Sequence, residues 1–160
     1  MIEIIQQEND LKAHTVEFIL MPQVWKAFVH EQFPCAWRTI KLDKSGKSDP
    51  VLTKRAGIYT LLLQPDIARH PACSYLMYVG QTHNLRQRFH NYLVTEKKRR
   101  KRPNVYRMLN LYDGFIWFCF TEVDESRLTE YENAFMNAFI PPVNDKNRLP
   151  AEVRSIRGAF

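Results

Sequence analysis

The chain has 160 residues, a formal net charge of +6, 45% hydrophobic content and three cysteines. That length suits one domain able to bury a real core, and no apolar run approaches the roughly 18–20 residues that cross a bilayer. The opening MIEIIQQENDLK lacks the basic region, apolar core and cleavage site of a secretory signal. Cys35, Cys73 and Cys119 are odd in number and show no CxxC spacing. A cytoplasmic protein with reduced thiols is therefore expected, with no disulfide framework, zinc knot or membrane partner.

Residues 1–50 read as an N-terminal extension packing on the core. EFIL, residues 17–20, is short enough for a strand, and PQVWKAFVHEQF, residues 22–33, places Val24, Phe28 and Val29 at helical spacing after an early proline. The polar stretch KLDKSGKSDP, residues 41–50, reads as a loop into the main domain. No helix-turn-helix spacing, zinc finger or internal repeat is present.

The main domain is read as residues 51–147, with 148–160 as a C-terminal tail. GIYTLLL, residues 57–63, is a short apolar run rich in aromatic and branched residues, which predicts a buried strand. QPDIARHPACS, residues 64–74, holds two prolines and reads as a loop. YLMYV, residues 75–79, is a second strand ended by Gly80, and two strands joined by a loop pair most simply antiparallel. Asn84 is placed to cap a helix whose Leu85, Phe89, Tyr92 and Leu93 share one face. A shorter helix is predicted over 104–112 and a central third strand over 115–122. A last helix over roughly 125–139 is ended by Pro141 and Pro142. The order strand, strand, helix, helix, strand, helix predicts an α/β (α+β) fold with a small, mainly antiparallel three-stranded central sheet flanked by helices.

The basicity is local. Between residues 86 and 107 lie nine cations and one acid, so the remainder of the chain is slightly acidic. Arg86 and the run Lys97, Lys98, Arg99, Arg100, Lys101 and Arg102 form a patch suited to a polyanion, most often nucleic acid. The same run also has the composition of an address tag or a solvated loop.

Five separated elements now stand in order: Gly57-Ile58-Tyr59; Tyr78-Val79-Gly80; Asn84-Leu85 with Arg88 following; Glu132; and Pro142-Val143-Asn144. In this order they resemble the GIY-YIG nuclease superfamily over about residues 55–147. Two departures stand out. Residues 64–74 look like an insertion between the two tyrosine strands. Several members carry a lysine soon after the second motif's glycine, where this chain has Gln81 and His83.

The resemblance implies a site whose parts suit phosphodiester hydrolysis. Glu132 is the implied sole protein ligand of a Mg²⁺ (or Mn²⁺) ion, a hard cation that keeps most of its waters and takes few carboxylates. Arg88 is the implied clamp on the scissile phosphate, because a guanidinium donates in a fixed fork and stays charged. A tyrosine is the implied base, with Tyr59 the first choice and Tyr78 orienting the water or binding phosphate. A phenol is a weak base near neutrality, so this role needs a nearby positive charge. Tyr92, one turn after Arg88, is an accessory site residue, while His90 points off that face. Asn144 either fixes its loop or contacts the substrate. Without the other elements, Tyr59 and Tyr78 would read as ordinary core tyrosines.

The leading expectation is a metal-dependent endonuclease acting on DNA, in restriction or anti-phage defence, with a homodimer or a partner protein left open. Two alternatives are a nuclease for single-stranded DNA, branched DNA or RNA, using Trp37, Tyr106 or Tyr112 as stacking platforms, and a non-catalytic nucleic-acid-binding module.

Overall fold

The structure, a computed structural model, describes residues 12, 14–65, 73–96, 101–145 and 154. Lys97–Arg100, residues 66–72 of the hairpin loop and nearly all of the tail expected at 148–160 lie outside the described residues.

One four-stranded sheet organises the chain. The strands are β1 (Arg38–Lys41), β2 (Gly57–Leu63), β3 (Tyr75–Thr82) and β4 (Ile116–Glu122), in the order β1-β4-β2-β3, and every pairing is antiparallel. The expected sheet had three strands. The fourth, β1, comes from the stretch read as an extension and pairs with β4 along the edge away from β3. Only Ile40 of its four residues is buried, so its strand state comes from the partner rather than from an apolar run of its own. β4 is central, as its uninterrupted apolar run predicts.

Four helices complete the framework among the described residues. They are α1 (Pro22–Ala27), α2 (Leu85–Asn91), which runs into a π turn at Tyr92–Glu96, α3 (Pro103–Leu111) and α4 (Leu128–Phe139), the last preceded by a single 3-10 turn at Glu125–Arg127. The Asn84 side chain accepts from the Gln87 N–H at 2.9 Å, the expected cap. α1 is shorter than its periodicity predicts. Phe28 turns extended at its end because its ring serves the tertiary core, lying 5.2 Å from Phe33 and 5.6 Å from Phe135. Residues 17–20 form no strand.

The sheet has two apolar faces. On one, Tyr59, Leu61, Tyr78, Phe118 and Phe120 pack with Phe89 and Tyr92 of the α2 segment and with Val105, Met108 and Leu109 of α3. On the other, Ile58 and Val79 pack with Leu128, Tyr131, Phe135 and Met136 of α4. Met77 is an extra residue in β3, since Leu61 pairs with Tyr78 and Leu62 with Leu76. This bulge lets Met77 and Tyr78 both join the first face.

β3 is an edge strand, and the chain after α4 covers it. Ile140 adopts a left-handed conformation, φ 45°, as its buried side chain ends the helix. A β-branched residue seldom takes that backbone. Beyond this turn the Val143 N–H donates to the Met77 carbonyl at 2.9 Å. The Asn144 side chain then accepts from the Val79 N–H at 2.9 Å and donates to the Val79 carbonyl at 2.8 Å. One amide side chain thus does for β3 what a neighbouring strand would do.

Candidate active site

Three of the sequence-marked tyrosines meet on one sheet face. Tyr59 and Tyr78 stack with ring centroids 6.1 Å apart, and the Tyr59 hydroxyl hydrogen-bonds the Tyr92 hydroxyl at 2.9 Å. Phe118 closes the far side of Tyr59 at 5.0 Å. Tyr59 pairs across the ladder with Gly80, and this explains the glycine. A Cβ on residue 80 would fall 2.5 Å from the Tyr59 hydroxyl and 2.8 Å from Cε1 of Tyr78. The Tyr59 ring lies over the backbone of residue 80, where only glycine leaves room.

The cluster is dry. Tyr59 and Tyr92 are essentially inaccessible to solvent. Burial pushes the Tyr59 phenol well above its ordinary value, reinforced by the neighbouring phenols Tyr92 and Tyr78, while Arg88 pulls the other way. Tyr92 is raised too, again chiefly by burial, with Arg102 and Arg88 opposing. Near neutral pH both phenols therefore keep their protons.

Arg88 projects from α2 beside this cluster. Its Nε is buried and makes no hydrogen bond. It also lines an open cleft of about 500 Å³ with Gln81, Thr82, His83, Gln87, Leu128 and Thr129. The two residues at the lysine position, Gln81 and His83, are thus both on the cleft wall. His83 is exposed, with Nδ1 3.7 Å from an Oε of Glu125. Glu132 is half-buried on α4, one turn beyond Leu128; Leu128 and Thr129 are the α4 residues that line the cleft, and Glu132 is not among its lining residues.

The remaining expected site residues divide. Asn144 is buried with both ends of its amide engaged on Val79, which makes it a support for β3 beneath Tyr78. Arg86 is exposed, and its Nε donates to the Leu52 carbonyl at 2.8 Å, anchoring α2 to the segment before β2. Lys101 is exposed. Arg102 turns inward: its Nη1 donates to the Tyr78 hydroxyl at 3.3 Å, and its guanidinium carbon lies 5.6 Å from the Tyr92 ring centroid. Nothing in a run of six like charges marks that residue out. Lys97, Lys98, Arg99 and Arg100 lie outside the described residues.

All three cysteines are free. No helix among the described residues is long and apolar enough to cross a membrane, and no three His, Cys, Asp or Glu side chains there gather to hold a metal.

No family model and no curated protein matches this sequence. Among solved structures, the chain is similar to the GIY-YIG N-terminal endonuclease domain of UvrC from Thermotoga maritima bound to magnesium. The identity is 16%, the match covers 64% of this chain and 100% of that one, and the TM-score is 0.42. A point variant of that domain bound to its catalytic divalent cation matches at 15% identity, over 64% of this chain and 99% of that one, with the same TM-score. Both are likenesses of fold.

Proposed function

We propose that this chain is a divalent-metal-dependent endonuclease that hydrolyses DNA phosphodiester bonds, with Mg²⁺ or Mn²⁺ as its cation. The observation that favours this most is Arg88. A guanidinium with a buried, unpartnered Nε opens onto a cleft and acts electrostatically on two buried phenols. A buried donor without a partner is costly, and a phosphate is the ligand a guanidinium fork fits best.

The donor set suits a hard cation. With no cluster of three potential ligands among the described residues, Glu132 offers one carboxylate and the rest of the shell is left to water. Mg²⁺ accepts that arrangement and a structural zinc site does not. Held there, the cation would supply charge neutralisation at the phosphate and the leaving oxygen.

In this reading Arg88 binds the scissile phosphate and stabilises the charge that grows on it. Tyr59 takes the proton of the attacking water, so the closed tyrosine cluster must open locally to admit that water. Its phenol must ionise first, which burial opposes and Arg88 favours, so cleavage gains from rising pH. Tyr92 holds the Tyr59 hydroxyl in place. Asn144 keeps β3, and hence Tyr78, in register. The basic run ahead of α3 follows the phosphate backbone. Of the aromatics on which a single-strand reader would stack bases, Trp37 is exposed, with its ring edge-on to Phe135 at 5.4 Å, while Tyr106 and Tyr112 are half-buried, which leaves that reading one candidate platform.

The test is cleavage of supercoiled plasmid, single-stranded circular DNA and a structured RNA in Mg²⁺, with EDTA and Glu132→Ala as controls. Metal-dependent cutting of DNA that vanishes in the variant while binding persists is expected. Equal cutting by Glu132→Ala would remove the single-carboxylate assignment. The finer expectation of a restriction or anti-phage role is tested by phage plating on cells with the parent or the variant, and equal plating would remove it.

A further inference from the structure

Arg102 is the last of six consecutive cations, yet it is half-buried and faces the tyrosines. Its Nη1 lies 3.3 Å from the Tyr78 hydroxyl, and its guanidinium sits over the Tyr92 ring. An arginine carries hydrogen-bond donors and no acceptor. The Tyr78 oxygen must therefore accept in this pair, and its own proton is left to be donated elsewhere.

The surroundings say where. Tyr78 borders a cavity of about 370 Å³, whose wall also carries Lys101, Arg102, Asn104 and Asp145. The Asn144 amide on that wall is already committed to Val79. Among the described residues two cations and one acid line it, a balance that favours an anion. The Tyr59–Tyr92 pair differs: either hydroxyl can donate to the other, so nothing comparable fixes its direction.

We propose that Arg102 is a positioning residue that fixes Tyr78 as a hydrogen-bond donor to a phosphoryl oxygen of the bound strand. The inference rests on the nuclease reading above and adds a second arginine with a separate role. Arg88 meets the phosphate directly, whereas Arg102 acts through a phenol.

A double-mutant cycle tests it. Arg102→Ala, Tyr78→Phe and the double variant are compared in single-turnover cleavage at saturating duplex DNA. Each single change is expected to slow the reaction about tenfold, the size of one lost hydrogen bond to a charged group. The double variant should fall no more than about twofold below the slower single, because both changes remove the same interaction. A non-bridging phosphorothioate at the cleaved position should slow the parent more than either variant, which a merely structural role would not produce. Losses that multiply to about a hundredfold, or variants that keep the parent's phosphorothioate effect, would overturn the inference. If Arg102→Ala fails to fold, Arg102→Met keeps the stem over Tyr92 and takes its place. A parent that cuts nothing would overturn the nuclease reading alone. The same cycle is then read as affinity for the uncut duplex, where additive losses overturn the role of Arg102.

Discussion

Gly80→Ala should be among the most damaging single-methyl changes in this chain. The added Cβ would lie 2.5 Å from the Tyr59 hydroxyl, 2.7 Å from its Cζ and 2.8 Å from Cε1 of Tyr78. The Tyr59 ring has nowhere to retreat, since Phe118 stacks on its other side at 5.0 Å. Overpacking of a close-fitted core costs about 1–3 kcal/mol. Moving the ring also breaks the buried 2.9 Å bond to Tyr92, at about 1–3 kcal/mol for the hydroxyl left unsatisfied. The sum, about 2–6 kcal/mol, far exceeds the fraction of a kcal/mol that alanine gains over glycine in a strand. Guanidinium unfolding of the parent, Gly80→Ala, Tyr59→Phe and the double variant separates the causes. Removing the hydroxyl relieves the closest contact, so the double variant should recover part of the loss while still failing to cut DNA. A Gly80→Ala protein within about 0.5 kcal/mol of the parent, the range of an ordinary surface change, would refute the packing argument.

Three further outcomes are expected. Asn144→Ala strips β3 of a donor and an acceptor at Val79 and should cost about 2–5 kcal/mol; denaturation showing less than about 1 kcal/mol would mean those bonds add little. Tyr59 and Tyr92 have folded pKa values raised above an unfolded value near 10, so the unfolded chain sheds protons that the native state keeps. Their contribution is intact below about pH 10 and is lost as pH climbs from there toward the folded values, at about 1.4 kcal/mol per unit for each phenol. Tyr59→Phe should roughly halve that slope between about pH 10 and 11, and an unchanged slope in unfolding titrations would contradict it. Replacing the five cations Lys97–Lys101 with glutamine should weaken binding to all duplex sequences alike and flatten the log–log salt dependence by about 4.5 units if each meets a phosphate; a salt slope equal to the parent's would take that run off the phosphate backbone.

The sequence is most legible where a single local rule decides. Asn84 before an apolar-periodic stretch marks a cap, and the runs at 57–63 and 115–122 mark buried strands whatever surrounds them. It is least legible where the outcome belongs to a distant partner. Arg-Thr-Ile-Lys has no strand signal of its own and becomes β1 only because β4 offers an open edge. Phe28 fits a helical period, but the aromatic core around Phe135 claims its ring. In the site, residue types and spacing place Tyr59, Tyr78, Tyr92 and Arg88 in one neighbourhood, which the structure brings together. What spacing cannot carry is direction. That Arg102 faces in, and that the amide of Asn144 is spent on a strand edge, depends on the turn ahead of α3 and on the left-handed turn at Ile140.

The pairing of β2 with β4, and the docking of Asn144 on β3, also set an order of assembly. β2 and β3 are joined by their own loop, so Tyr59 and Tyr78 can meet as soon as that hairpin has been made. The pairings of β4 with β2 and β1 close much longer loops and come at greater entropic cost. Until they form, Tyr59 lacks Phe118 behind it, and until Asn144 arrives the edge of β3 is bare. During synthesis, then, the phenols and Arg88 exist long before the frame that aligns them. A chain cut short ahead of Asn144 would hold every tyrosine and arginine of the site and still lack its geometry.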